Sequence, residues 1–278
     1  MNRCFVIDFT AFTGRDKTVI VKELSIADVD SQCVQHYVFR PPKDTETVTW
    51  DPFMGRQYQW MSMHYHGLDY FEGTSDYANM ESTVRSVCNE ADFIFAPSQE
   101  KAAWLEKNVF DKSRVVINLE LLGCEPQLPT SVLTFPTEDN VHQCLLHHLR
   151  APGFYCTQSS VKKLASWCWA NKAKLDLNQE DNRVKSFHGW TLIRPTPQEL
   201  AAEGFVKFAG RDDMTRCVYC GVDLHQWVEG DEPAKDHEKY SPFCHIVFEA
   251  TNNSNKQRLQ CDCGRCLKPT EDRERARA

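Results

Sequence analysis

The chain has 278 residues, 41% of them apolar, and 39 acidic against 32 basic residues for a formal net charge of −7. That length admits two domains with ordinary cores, and the acid excess argues against a globally basic nucleic-acid or membrane-surface binder, leaving protein as the favoured partner and a local basic patch open. Thirteen cysteines is an odd count, poorly matched to a secreted disulfide framework, so a reducing compartment is expected: cytoplasm, nucleus or both.

The N-terminal MNRCFVIDFTAF has one early charge and an apolar run broken by Asp8. It reads as a first strand and not as a signal peptide, and no stretch approaches the roughly 18 apolar residues of a membrane span. Two β-branched runs, Cys4 to Phe9 and Val19 to Lys22, flank a turn at Gly14-Arg15-Asp16 and predict a hairpin. A third run, His36 to Phe39, ends at Pro41-Pro42, which blocks further pairing. His64 and His66 share one strand face if that segment is extended, more simply a structural pair than a catalytic one. Met80, Val84, Val87 and Ala91 recur at helical spacing over residues 79–91, and the strand-like Asp92 to Ala96 follows. A helix over 98–109, a strand over 114–119 and a helix over 159–170 complete a first domain at 1–173. A polar linker at 174–182, a zinc domain at 183–250 and a Cys-containing polar tail at 251–278 follow.

Meandering strands followed by alternating helix and strand give the order of a ribonuclease H-like α/β fold, a mixed sheet with helices. VIDFTAF resembles the first motif of the DEDD exonucleases, in which a glutamate two residues after the aspartate helps hold divalent metals. Here Asp8 is followed by Phe9 and Thr10, and a threonine cannot supply that carboxylate. The resemblance therefore implies a degenerate site and no catalytic residue. Asp69, Glu72 and Asp76 form no recognisable metal motif and read as a solvated loop.

Cys144-x2-His147 followed by Cys156 places three ligands at zinc spacing, with Cys124 or Glu120 upstream as a fourth. This loosely resembles the ribonuclease H-like domain of the Maelstrom family in small-RNA pathways, which implies a Glu/Cys/His/Cys-type zinc site and lost exonuclease residues. The alternative is buried small thiols beside a surface histidine. The tail trio Cys261, Cys263 and Cys266 has no obvious fourth ligand, and the closing EDRERARA reads as a solvated end.

Cys217-x2-Cys220-x16-His237-x6-Cys244 sets four ligands at the intervals that one tetrahedral zinc requires. A closed Cys3His shell leaves no position for water, so such a site holds a fold and activates no nucleophile. Around it stand Arg183, the SF-x2-W of Ser186, Phe187 and Trp190, the LAAEGF turn at Gly204, then Leu224, Trp227, and the GDEP of Asp231 and Pro233. These closely resemble a baculoviral inhibitor-of-apoptosis repeat, or BIR domain, over about 65 residues. Thr191 and Ala234 depart from the family pattern without touching a ligand.

The BIR resemblance implies a small α+β module that captures a free N-terminal alanine peptide by adding a strand to its sheet edge. Asp231 falls at the anchor for the peptide ammonium; Asp223, Leu224 and His225 lie on the edge strand; Trp227 walls the pocket and Tyr240 closes its far side. Gln226 occupies a position often acidic in the family. The competing expectation is that Leu224 and Trp227 serve only the core and that Asp231 only caps the helix before His237. Two functions follow: a non-enzymatic zinc adaptor binding a caspase, a caspase antagonist or a chromatin protein, or a nucleic-acid-processing or silencing factor targeted by its BIR domain. Three tail cysteines cannot supply the eight ligands of a RING site, so ubiquitin-ligase activity is not indicated.

Overall fold

The computed structural model describes residues 3–14, 17–42, 52–111, 113–124, 144, 147, 154–208 and 213–247; the tail cysteines and EDRERARA lie outside them. A five-stranded mixed sheet is built from β1 (Cys4–Thr13), β2 (Val19–Asp28), β3 (Val34–Val38), β4 (Phe93–Ala96) and β5 (Val116–Asn118), in the order β3-β2-β1-β4-β5. The first three strands pair antiparallel, and β4 joins β1 and β5 in parallel.

Alternation along β1 assigns the two faces of this sheet. Phe5, Ile7 and Phe9 pack with Met80 and Val84 of α2 (Met80–Val87) and with Ala102 and Leu105 of α3 (Gln99–Asn108). Val6, together with Phe95 and Ile117, packs against Val161, Leu164, Ala165 and Cys168 of α4 (Thr157–Ala170). Ser98 caps α3 by accepting from the Lys101 N–H. Being covered on both sides, the strands read as near-continuous apolar runs.

Three local expectations are corrected. The second strand does not stop at Lys22 but runs to Asp28, because Lys22 and Glu23 are buried with partners inside the fold. The segment before His66 is helical, α1 (Pro52–His64), and the Tyr65 and His66 N–H groups donate back to the Met61 carbonyl, so the two histidines share no strand face. The 174–182 stretch is packed: α5 (Lys172–Leu175) and α6 (Glu180–Lys185) take up its two ends, and Leu175 and Leu177 are buried beside α4. The Asn182 amide ties it down by donating to the Ala173 and Asp176 carbonyls.

The C-terminal unit comprises α7 (Pro197–Ala202), the antiparallel sheet β6 (Phe205–Lys207), β7 (Thr215–Cys217), β8 (Asp223–Leu224) in that order, and α8 (Pro233–Tyr240). Thr196 and Glu199 form a capping box at α7 and Pro197 opens it, a strong local start signal. Gly204 must be glycine: its φ is +84°, and a Cβ would lie 2.8 Å from the Tyr219 ring. Arg183 is buried and donates to the Ala201, Leu177 and Asn178 carbonyls, clamping α7 to the preceding turn. Val206 packs into the core beneath α4, joining the two units.

Candidate metal centres and peptide groove

Cys217, Cys220, His237 and Cys244 converge from β7, the knuckle after it, α8 and the turn beyond, their donor atoms all within 4.8 Å of one another. Zinc bonds of about 2.3 Å to sulfur and about 2.0 Å to nitrogen give tetrahedral edges of about 3.8 and 3.5 Å. Cys217 and Cys244 Sγ are 3.8 Å apart, far beyond a disulfide, and Cys220 Sγ is 3.4 Å from His237 Nε2. Burial lowers the His237 pKa, keeping the imidazole neutral as a ligand must be. Its Nδ1 is buried without a hydrogen-bond partner among the described residues, and the Glu203 carboxylate lies 4.0 Å from it. The donors fit zinc, which would act here as a structural cross-link with all four positions filled by protein.

A second cluster lies in the first domain. Cys144, His147 and Cys156 come together as expected, but the fourth place belongs to Glu23 of β2 and to neither Cys124 nor Glu120. Cys124 instead packs under α4 with Leu119 and Cys168, where burial and the Glu120 charge push its thiol up to about 11. Glu23 Oε1 lies 3.9 Å from Cys144 Sγ, 3.6 Å from Cys156 Sγ and 3.6 Å from His147 Nδ1. The Thr157 N–H donates to Oε2. His147 Nε2 faces the His66 carbonyl at 2.5 Å, which assigns the proton to Nε2 and turns the Nδ1 lone pair toward the cluster.

All four residues of this cluster are buried. Burial and the neighbouring Cys156 hold the Glu23 carboxyl well above its ordinary range. The Cys144 hydrogen bond, followed by His147, draws the Cys156 thiol down, while Cys144 is pushed up by its bond to Cys156. A divalent cation placed among these four donors would be held by two thiolates, one carboxylate and one imidazole, a donor set that suits zinc.

Asp8 lies at the middle of β1, wholly buried. Its Oδ1 accepts from Lys101 Nζ at 2.5 Å and from the Phe9 N–H at 2.8 Å, and its Oδ2 accepts from the Tyr155 hydroxyl. Thr10 is buried and its hydroxyl has no hydrogen-bond partner among the described residues. Asp69, Glu72 and Asp76 accept from the N–H groups of Phe71, Asp69 and Ala78, so they shape their own turns.

In the C-terminal unit β8 is the edge strand, and among the described residues no strand covers its outer side. The Asp223 carboxylate is taken by Arg216, leaving its backbone to serve a peptide. Leu224 and Trp227 are buried in the core with Phe187, Leu200 and Phe205, and the Trp227 indole N–H donates to the Thr215 hydroxyl at 3.3 Å. His225 is exposed and Tyr240 is 58% exposed. Asp231 does not cap α8, whose N-cap is Glu232. Asp231 Oδ2 accepts from the Val228 N–H at 2.8 Å, and the residue lines a cleft with Arg194, Glu199 and Glu203.

Residues 183–248 match the family model of the Inhibitor of Apoptosis domain, BIR. The chain is 39% identical over 72 residues to an apoptosis inhibitor IAP of the Cydia pomonella granulosis virus, a match covering 26% of each chain. It is 35% identical over 72 residues to the E3 ubiquitin-protein ligase IAP-3 of the Orgyia pseudotsugata multicapsid polyhedrosis virus, again 26% of each. To the mouse baculoviral IAP repeat-containing protein 1f it is 38% identical over 76 residues, 27% of this chain and 5% of that one. A crystal structure of DIAP1 BIR1 bound to a Grim peptide is 34% identical over 26% of this chain and 72% of that one, at a TM-score of 0.24. Residues 183–248 are a BIR domain. The chain spans about a quarter of the length of the viral relatives, and no part of 1–182 is matched by the family model.

Proposed function

We propose that the chain is a zinc-stabilised adaptor whose BIR domain captures the free N-terminus of a partner, of the alanine type, and thereby restrains cell death. The observation that carries this reading is an open edge strand, β8, with Asp231 partly exposed beyond it on a sheet held by the Cys217–Cys220–His237–Cys244 cluster. An extended peptide gains backbone hydrogen bonds from such an edge, and its terminal ammonium gains a carboxylate. The candidate partners are a caspase, an antagonist of such inhibitors, or a chromatin protein. Thiolate ligands require a reducing setting, cytoplasm or nucleus.

For residues 1–173 we infer a non-enzymatic ribonuclease H-like scaffold, supported by the strand order 3-2-1-4-5 and pinned by a second zinc on Glu23, Cys144, His147 and Cys156. A nuclease or silencing factor is the alternative that this sheet order favours, but the Lys101 ammonium neutralises Asp8 and Thr10 adds no carboxylate. Metal-dependent nuclease activity abolished by Asp8→Ala would select the alternative.

Fluorescence polarisation with short peptides beginning in free alanine tests the adaptor reading. Binding that is lost on N-acetylation and in Asp231→Asn, which keeps an acceptor for the Val228 N–H, supports it. Equal binding of acetylated and free peptides overturns it.

A further inference from the structure

Residues 157–175, TQSSVKKLASWCWANKAKL, contain four lysines and no acidic residue in a chain whose net charge is −7. The inner face of α4 is used up: Thr157, Val161, Leu164, Ala165 and Cys168 are buried. Its other faces carry Lys162 with Trp169 at i, i+7 and Lys163 with Trp167 at i, i+4, spacings that align along a helix. Trp169 is 51% exposed, with the Lys172 ammonium 3.7 Å from its ring centre. Lys174 stands 5.5 Å over Trp167. The nearby acids include Asp30, paired with Lys172 at 2.5 Å, Asp176, which accepts from Asn178 and Gln179, and Glu120, which shares the Cys124 surroundings with Lys174. Lys162, Lys163 and Lys174 make no ion pair with another described residue.

We propose that the outward face of α4 and α5 is a docking surface for single-stranded nucleic acid, with Trp169 as a base-stacking platform and Lys162, Lys163 and Lys174 on the phosphates. Lysines alone would take any polyanion. A half-exposed indole with the Lys172 ammonium over one ring face keeps the other for stacking, which fits a ligand that repeats a flat ring next to a negative charge, an unpaired nucleotide. A duplex hides its base faces. A membrane-surface helix needs a free apolar face, and that of α4 lies against the sheet. An acidic peptide would leave Trp169 without a stacking partner. This surface is independent of the peptide groove and of any chemistry at Asp8.

The test is fluorescence anisotropy of the zinc-loaded full chain with a fluorescein-labelled oligouridylate of about 20 nucleotides, from about 50 to 200 mM salt. Binding is expected, with log K falling against log salt by about 0.7 for each lysine engaged, or about 2 in all. The triple variant Lys162→Gln/Lys163→Gln/Lys174→Gln should lose about that slope and at least about tenfold in affinity. Trp169→Ala should weaken binding about fivefold or more at unchanged slope, and Trp169→Phe should retain most of it. These positions lie outside the core, and unchanged thermal unfolding of each variant verifies the fold. Lys235→Gln/Lys239→Gln on α8 should change nothing. Several outcomes overturn the proposal: no binding at the lowest salt, equal loss in the α8 control, an inert Trp169→Ala, a preference for duplex, or binding to phosphatidylserine vesicles with none to the oligonucleotide.

Discussion

Arg216 holds Asp223 through two parallel hydrogen bonds, Nε to Oδ1 at 2.6 Å and Nη2 to Oδ2 at 2.7 Å, between register partners of β7 and β8. The same guanidinium lies over the Phe208 ring and donates to the Ser113 carbonyl of the first domain. One side chain thus fixes the edge strand and ties it to the neighbouring unit. Both groups are less than a third exposed, so Arg216→Ala should cost about 1–2 kcal/mol of stability, and Arg216→Lys should recover little because a fork is replaced by a point charge. Thermal unfolding measures this. Because the Asp223 carboxylate is committed, Asp223→Asn should change affinity for a free-alanine peptide by less than about twofold, whereas Asp231→Asn should change it at least about tenfold.

The Asp8–Lys101 pair makes a second prediction. Lys101→Met leaves a wholly buried carboxylate with only the Tyr155 hydroxyl and one backbone N–H. Breaking a buried pair from one side costs about 3 kcal/mol or more, and the double variant Asp8→Asn/Lys101→Met should recover much of it. Urea unfolding of the four proteins of this cycle gives the coupling; a double variant no more stable than Lys101→Met would show that the charge on Asp8 is not what Lys101 serves.

The BIR zinc cluster was legible because a chelate fixes short spacings in the sequence: CVYC presents two thiols within one turn, and His237 and Cys244 follow on a helix and the turn after it. Strand position was legible where β-branched runs are long, as in β1. Glu23 was not, since it lies 121 residues from Cys144, and a charged pair, Lys22-Glu23, reads as the end of a strand when it is in fact the buried middle of one. Only the three-dimensional packing of β2 against the start of α4, where Cys156 and Thr157 meet Glu23, brings it to the cluster. Arg216 and Lys101 were equally hidden, because a lone basic residue at a strand or helix position is ordinarily solvated.

Metal content separates the two centres. The intact chain should carry two zinc ions. Glu23→Gln, which keeps shape but removes the charge, should lose one, as should Cys220→Ser, and the two losses should add because the centres are built on separate units. Cys124→Ser should retain both. Elemental analysis of dialysed protein checks the count; a full complement in Glu23→Gln would return the fourth place to another ligand.

His66 gives the pH dependence a sign. Burial, then the Lys22 ammonium and His147, lower its pKa to about 3 from an ordinary 6.5. The unfolded chain therefore takes up this proton first, so the stability that the neutral ring contributes is present above pH 6.5 and declines as pH falls toward 3. Between pH 7.5 and 5 the loss is on the order of 2 kcal/mol. The ring packs edge-on against Phe12 at 4.7 Å, which a phenylalanine can reproduce. In His66→Phe this one titration is absent, so the difference in unfolding free energy between the native chain and the variant should move in the variant's favour by about that amount as pH falls. Comparing the two proteins at each pH cancels the loss of zinc from protonated thiolates, which both share. A difference that stays constant from pH 7.5 to 5 would mean that His66 keeps its proton affinity on folding.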